Sequence, residues 1–163
     1  MDLQTINEMW AKDSVIDDVL IDQASIRIPQ LHQKYLSLLS EFTILRKRKQ
    51  QDLKRLEHTK YLYYAGKAPP EDYEEKPFHY KVLKGEAYGW VSVDEDIQKV
   101  EMKLEYYNVL LRTLEEILKQ VSQMSFNIKN TIEWRKFVNG NWFISMEDKT
   151  SHHWWGVDFY LSQ

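Results

Sequence analysis

Apolar residues recur at helical spacing along two long segments, one ending near Gly66 and the other beginning after Gly89. The first segment starts at Pro29, a residue suited to the first turn of a helix. Its apolar positions lie three and four residues apart and are Leu31, Tyr35, Leu38, Phe42, Leu45, Leu53, Leu56 and Tyr63. This spacing predicts a helix with one buried face. The pattern is interrupted across Lys49 and Asp52, which predicts that the helix leaves the core there and faces solvent.

The second segment carries a longer heptad pattern. Ser92 and Glu95 precede it at the spacing of a capping box. Ten of its eleven positions are apolar, and they are Ile97, Val100, Leu104, Tyr107, Leu111, Leu114, Leu118, Val121, Ser125, Ile128 and Ile132. A heptad of this length is typical of coiled-coil packing. A helix over 93–137 would be roughly 70 Å long, so we expect the stripe to join copies of the chain. The alternative is packing against residues 31–45 of the same chain. The polar Ser125 predicts a break into two helices.

The shorter segments complete the predicted fold class. Leu3, Ile6 and Trp10 fit a short amphipathic helix that ends near Asp13. Residues 66–91 are expected to be a loop, in which alternation around Tyr80 is a weak strand or hairpin signal. We therefore predict a mainly α fold with long helices, a loop or weak β-hairpin insertion and a C-terminal heptad helix. The predicted regions are 1–91, an N-terminal helical region with an acidic and proline-containing loop, and 92–140, a C-terminal helical region for oligomerisation. A tail, 141–163, has no assigned role.

Composition narrows the class of protein. The chain has 163 residues, of which 43% are hydrophobic and 13% aromatic, enough for one ordered domain with a core. Cysteine is absent, which excludes disulfides and thiolate chemistry and favours a reducing compartment. We expect neither a signal peptide nor a membrane-spanning segment, because no apolar run approaches about 18 residues.

Positive charge is concentrated between Arg46 and Lys60, although the net charge is −3. Seven Lys or Arg residues stand there against two acids, and tyrosines follow at once. Cationic side chains can follow a phosphate backbone, and exposed rings can stack on unpaired bases. The candidate DNA-binding residues, which make 1–91 the predicted DNA-binding region, are Arg46, Lys47, Arg48, Lys49, Lys54, Arg55, Lys60, Tyr61, Tyr64 and Lys67. Tyr63 instead fits the apolar stripe. The alternative interpretation is a solvated helix face whose tyrosines belong to the core.

Motifs for catalysis and metal binding are missing from the sequence. There is no G-x-x-x-x-G-K-[ST] loop for nucleotide phosphates and no H-E-x-x-H or cysteine pattern for zinc. The adjacent His152 and His153 are poorly placed to converge on one metal ion. We therefore predict a protein that is not an enzyme and that needs no cofactor.

Several segments, taken in order, resemble the UvsY family, the recombination mediators of large tailed bacteriophages. They are NEMWAKDSVID at 7–17, IPQLHQKYL at 28–36, LRKRKQQ at 45–51, KYLYYAGKA at 60–68, KPFHYKV at 76–82, DEDIQKVEMKLEYY at 94–107 and FNIKNTIEWRKF at 126–137. The resemblance covers residues 1 to about 140 without large gaps. The tail beyond Gly140 extends past the usual end of the family.

This resemblance implies a protein that binds single-stranded DNA and forms a ring-like homo-oligomer through its C-terminal helical region. It would help load a RecA-like recombinase onto DNA covered by single-strand-binding protein, in recombination, repair and replication within the cytoplasm of the infected bacterial host. Two positions implicated in DNA contact in the family fall on His58 and Lys60. His58 departs from the expected Lys or Arg, and an unperturbed histidine is mostly neutral at pH 7. The alternative is a non-catalytic helical scaffold or adaptor that binds protein partners only.

Overall fold

The computed structural model describes residues 1–17, 20–83, 85–138 and 140. These residues form helices and connections without any β-strand. The helices are α1 (Leu3–Asp13), α2 (Ile21–Tyr64), α3 (Pro70–Glu75), α4 (Ala87–Ser92) and α5 (Glu95–Val138). The mainly α prediction is confirmed, and the weak hairpin signal around Tyr80 is wrong. The tail 141–163 lies outside the described residues.

Helices α2 and α5 form the body of the molecule as an antiparallel pair. Each contains 44 residues and is roughly 66 Å long at about 1.5 Å per residue. The end of α2 meets the start of α5, where Tyr64 bonds to Asp94, and Phe42 lies beside Tyr107 further along. The core runs along this contact and includes Tyr35, Leu110, Leu114 and Val121, all fully buried.

Helix α1 packs across the middle of the pair. Its Ile6 is fully buried, and the ring of Trp10 meets Tyr35 edge-on at 5.6 Å. The buried carboxylate of Asp13 accepts hydrogen bonds from Lys34 Nζ at 2.6 Å and from the Tyr35 hydroxyl at 3.0 Å. Burial alone would raise the pKa of Asp13, but these bonds outweigh it and lower the pKa. The short N-terminal helix ending at Asp13 is therefore confirmed, and its last residue fastens it to α2.

Four predictions about the helices and their connections are wrong. Helix α2 begins at Ile21 rather than at Pro29, because Ile21 and Ile28 pack against the core and extend the helix towards the N-terminus. Ser92 ends α4 and donates its hydroxyl hydrogen to Gly89, so no capping box forms. The predicted loop 66–91 contains α3 and α4. Helix α5 is unbroken, because its polar Ser125 lies on the exposed face.

The buried stripe of α5 only partly matches the predicted heptad. Ile97, Leu111, Leu114, Val121 and Ile128 are buried as expected, whereas Val100, Leu104, Tyr107, Leu118 and Ile132 are half-buried. Leu110, Ile117 and Met124 are buried but were not predicted. From residue 110 onwards the buried stripe is centred one residue earlier than the predicted heptad. It packs against α2 of the same chain, as the alternative interpretation proposed. A contact between copies through α5 therefore needs side chains that remain exposed after this packing. The role of the heptad in assembly stays a prediction.

None of the described helices has the length and apolarity that a membrane crossing requires.

Leu114 tests the α2–α5 contact. We expect Leu114→Ala to lower the free energy of unfolding by about 2–5 kcal/mol, because it opens a cavity at a fully buried site. The matched control is Met102→Ala on the exposed face of the same helix, which should change stability by less than about 0.5 kcal/mol. Denaturant unfolding at one fixed protein concentration measures both. Equal values for the two variants would contradict the described core.

Candidate nucleic-acid interface

The middle of α2 presents cations to solvent on one face. Lys47, Lys54 and His58 are exposed and occupy one side of the helix, at spacings of seven and four residues. Arg48 and Arg55 follow Lys47 and Lys54 by one position and are exposed too. We call these five residues the basic face. The prediction that the basic run turns towards solvent is confirmed for them.

None of these five residues forms a salt bridge with any residue in the described part of the chain. The same holds for Arg46, which is exposed at the edge of the basic face. The ammonium and guanidinium groups in this set are therefore available to an external anion without the loss of an internal salt bridge. One further polar residue, Gln51, lies on the line between Lys47 and Lys54. It was not predicted as part of the DNA-binding surface, although its spacing of four and three residues from these lysines could have identified it.

Two predicted cations of α2 itself lie away from this face. Lys49 is half-buried and 2.9 Å from Asp52 Oδ2, one turn away on the same helix. The hydrogen bond with Asp52 raises the pKa of Lys49. Lys60 faces the start of α5, where its Nζ lies 2.7 Å from Asp96 Oδ2 and 2.9 Å from Asp94 Oδ2.

Lys60 is held in a nearly closed site. Only 16% of its side chain is exposed, and the value for Asp94 is 8%. Burial alone would lower the pKa of Lys60, but the hydrogen bonds with Asp96 and Asp94 outweigh it and raise the pKa. The sequence did not reveal these partners, because Lys60 and Asp96 are 36 positions apart. A phosphate could reach Lys60 only in competition with two carboxylates.

The tyrosines after the basic run pack in different ways. Tyr63 stacks on Tyr73 at 5.1 Å, and its hydroxyl donates to the carbonyl of Lys76. Tyr64 donates its hydroxyl hydrogen to Asp94 Oδ2 at 2.8 Å, and burial together with this bond raises its pKa to about 12. Both rings are thus engaged within the chain. Tyr61 points elsewhere and stacks on Tyr88 at 4.6 Å.

Gly66 turns the chain away from the end of α2. Its φ of 71° is left-handed, a conformation that suits glycine. The N–H of Lys67 bonds to the carbonyl of Leu62 at 2.8 Å, and that of Gly66 to the carbonyl of Tyr63 at 3.1 Å. These are the two bonds of a Schellman cap. Lys67 is exposed but lies beyond the helix, off the line of the basic face.

A cleft of about 560 Å³ opens beside Lys60 and Tyr64. Phe78 and Trp90 line it together with five carboxylates and two lysines. The carboxylates are Asp72, Glu75, Asp94, Glu95 and Asp96. We call it the acidic cleft. Its charge repels phosphate, so we do not expect a nucleic-acid backbone to run through it. No set of three His, Cys, Asp or Glu residues in the described ranges is arranged to hold a metal ion.

Comparison with known proteins assigns the family. The model of the family described as recombination, repair and ssDNA binding protein UvsY matches residues 9–141. The chain belongs to the UvsY family. The recombination protein UvsY of Enterobacteria phage T4 is 26% identical over 145 residues, covering 86% of this chain and 99% of the T4 protein.

Solved structures of the T4 protein share the fold of this family member. A crystal structure of the bacteriophage T4 recombination mediator protein UvsY in lattice type II has a TM-score of 0.75 and 24% identity, covering 85% of this chain and 98% of that chain. Lattice type I gives a TM-score of 0.72 at 24% identity, covering 82% and 98%. The resemblance noted from the sequence is confirmed, and so is the all-helical architecture.

Lys60 and Lys54 provide a matched pair of lysines on α2. We expect Lys60→Ala to lower the free energy of unfolding by about 1–3 kcal/mol, because Asp94 loses its counter-charge at a buried position. Lys54→Ala removes an exposed lysine and should cost less than about 0.5 kcal/mol. Denaturant unfolding compares the two. If Lys60→Ala left stability unchanged and weakened binding to single-stranded DNA, Lys60 would be a DNA contact rather than a structural residue.

Proposed function

We propose that this chain is a non-catalytic recombination mediator that binds single-stranded DNA through the basic face of α2. It helps load a RecA-like recombinase onto DNA coated by single-strand-binding protein, in the cytoplasm of the infected host. Membership of the UvsY family and the names of its T4 relative support the role. The observation that carries the DNA-binding part is the basic face itself, a set of exposed cations without internal salt bridges.

The basic face suits an extended strand. Lys47 and His58 are eleven residues apart, which is roughly 17 Å along a helix. The helix is held on both sides of this face, by α1 near Tyr35 and by Lys60 at the start of α5. The backbone that carries the cations is therefore ordered before DNA arrives, so little conformational entropy is lost on binding. Phosphate contacts release counterions and are independent of base sequence, as loading on any strand requires.

Assembly of several chains would bring several copies of this small DNA-binding surface together. We propose a ring-like homo-oligomer in which several basic faces engage one strand and raise its effective concentration. Wrapping would keep the strand extended for the recombinase and weaken the grip of the single-strand-binding protein. The last part of α5 offers an exposed apolar face for the contact between copies. It contains Phe126, Trp134 and Phe137, and the rings of Trp134 and Phe137 stack at 5.8 Å.

Trp134 tests this assembly surface. We expect Trp134→Glu to reduce the mass measured by light scattering, because a charge would be buried unpaired between copies. Trp134 is 65% exposed within one chain, so the variant should fold, and far-UV circular dichroism checks this. Met102→Glu, also exposed but near the other end of α5, is the control and should keep the parent mass. An unchanged mass for Trp134→Glu would exclude this face from assembly.

Lys47 and Lys54 test the DNA site. Log affinity for a labelled oligonucleotide should fall against log salt, and the double variant Lys47→Ala/Lys54→Ala should flatten the slope by about 1.4, from about 0.7 per lost phosphate contact. The control is Lys103→Ala/Lys119→Ala, which removes the same charge from exposed positions of α5. Fluorescence anisotropy across a salt series measures both. A double variant that keeps the parent affinity and slope would place the DNA site elsewhere.

The alternative function is an adaptor that binds only proteins. The acidic cleft favours it, because five carboxylates beside the rings of Phe78 and Trp90 suit a cationic segment of a partner. The anisotropy series also separates the two functions. A parent protein without measurable, salt-dependent affinity for single-stranded DNA would favour the adaptor.

A further inference from the structure

We propose that Tyr88 of α4 is a base-stacking platform at the end of the basic face. The ligand is an unpaired base of a strand whose phosphates lie on α2. This inference rests on the proposed DNA binding and adds a residue from outside the basic helix. Three observations carry it, namely the position of Tyr61, the exposure of Tyr88 and the charge around the neighbouring ring pair of Tyr80 and Trp90.

Tyr61 continues the line of the basic face. Counted along α2, Lys47, Lys54, His58 and Tyr61 follow one another at spacings of seven, four and three residues, which keeps them on one side of the helix. A strand that follows the cations towards the C-terminal end of α2 therefore reaches Tyr61. The distance from Lys47 to Tyr61 is roughly 21 Å along the helix.

Tyr88 extends this line onto α4. Its ring stacks on Tyr61 with centroids 4.6 Å apart and planes inclined by 30°. Tyr61 covers one face of the Tyr88 ring, yet 67% of the residue stays exposed. The neighbouring Ala87 and Val91 are buried and anchor α4. The exposed face of the Tyr88 ring is thus held in place. A base that packs on this face would extend the aromatic stack that begins with Tyr61.

A neighbouring ring pair near the end of α2 lacks this setting. Tyr80 is 69% exposed and stacks on Trp90 at 5.5 Å. Trp90, however, lines the acidic cleft with Asp94 and Asp96. A base on this pair would bring its own phosphate towards those carboxylates, which disfavours binding. Tyr80 is therefore the matched control for Tyr88, because it has the same ring and similar exposure but lies near negative rather than positive charge.

The test compares a labelled oligo-dT with an abasic oligonucleotide of equal length and charge, by fluorescence anisotropy on the full chain. We expect Tyr88→Ala to weaken oligo-dT binding about 5- to 150-fold with the salt slope unchanged, because stacking and not charge is lost. Binding of the abasic strand should stay within about twofold of the parent. Tyr88→Phe keeps the ring and should bind as the parent does. Tyr80→Ala should also bind like the parent.

The remaining outcomes are distinct. If the parent binds oligo-dT with the expected salt response and Tyr88→Ala binds equally well, the platform is excluded while the proposed function stands. If Tyr88→Ala loses both strands equally, or changes the mass in light scattering, Tyr88 serves folding or assembly and the inference is overturned. Tyr88→Leu, which keeps bulk without a ring, replaces the alanine variant if that does not fold. A parent that binds neither strand overturns the proposed function as well.

Discussion

The antiparallel contact between α2 and α5 is the interaction on which the rest of the structure depends. A single helix gains little stability from its own hydrogen bonds in water, so two helices of 44 residues need a shared core. Tyr35 and Phe42 from one helix and Leu110, Leu114 and Val121 from the other supply that core. This core lies on one side of the basic segment, and the salt bridges of Lys60 with Asp94 and Asp96 lie on the other. The basic segment is therefore held as helix without having to be buried itself.

Two similar clusters fasten the pair, one beside α1 and one beside α4. In each, one shielded carboxylate accepts hydrogen bonds from a lysine or a tyrosine hydroxyl. Asp13 is bound by Lys34 and Tyr35 in the first cluster, while Asp94 is bound by Tyr64 and paired with Lys60 in the second. A buried carboxylate is tolerated only when it is paired and hydrogen-bonded. These cations therefore serve the fold, which leaves the exposed ones on the basic face free for a ligand.

The separation of charge has a consequence for binding. The basic face of α2 points to solvent, whereas the carboxylates near the start of α5 gather around the acidic cleft. A polyanion responds to this local field rather than to the net charge of −3. The two surfaces meet near the tyrosines, where Tyr61 belongs to the basic side and Tyr64 to the acidic side. Of two neighbouring tyrosines on one helix, Tyr61 is thus placed for a nucleic-acid ligand, whereas Tyr64 is bonded within the fold.

Short-range patterns in the sequence determined much of this protein. Helical periodicity identified both long helices and the short one ending at Asp13, because amphipathic spacing depends only on nearby residues. The density of Lys and Arg after Leu45 likewise predicted a solvent-facing stretch, since unpaired charge avoids the core. The order of these segments was enough to indicate the family.

Choices between distant partners were decided only by the tertiary structure. Ile117 and Leu118 are both apolar, so the sequence offered two registers for the stripe, and packing against α2 buries Ile117 and leaves Leu118 half-buried. Lys60 resembled the other lysines until the fold brought Asp94 and Asp96 to its ammonium group. Tyr80 alternated like a strand residue but stacks on Trp90 instead. In each case the deciding partner is remote in sequence, and local pattern carries no information about which remote side chain a fold will bring into contact.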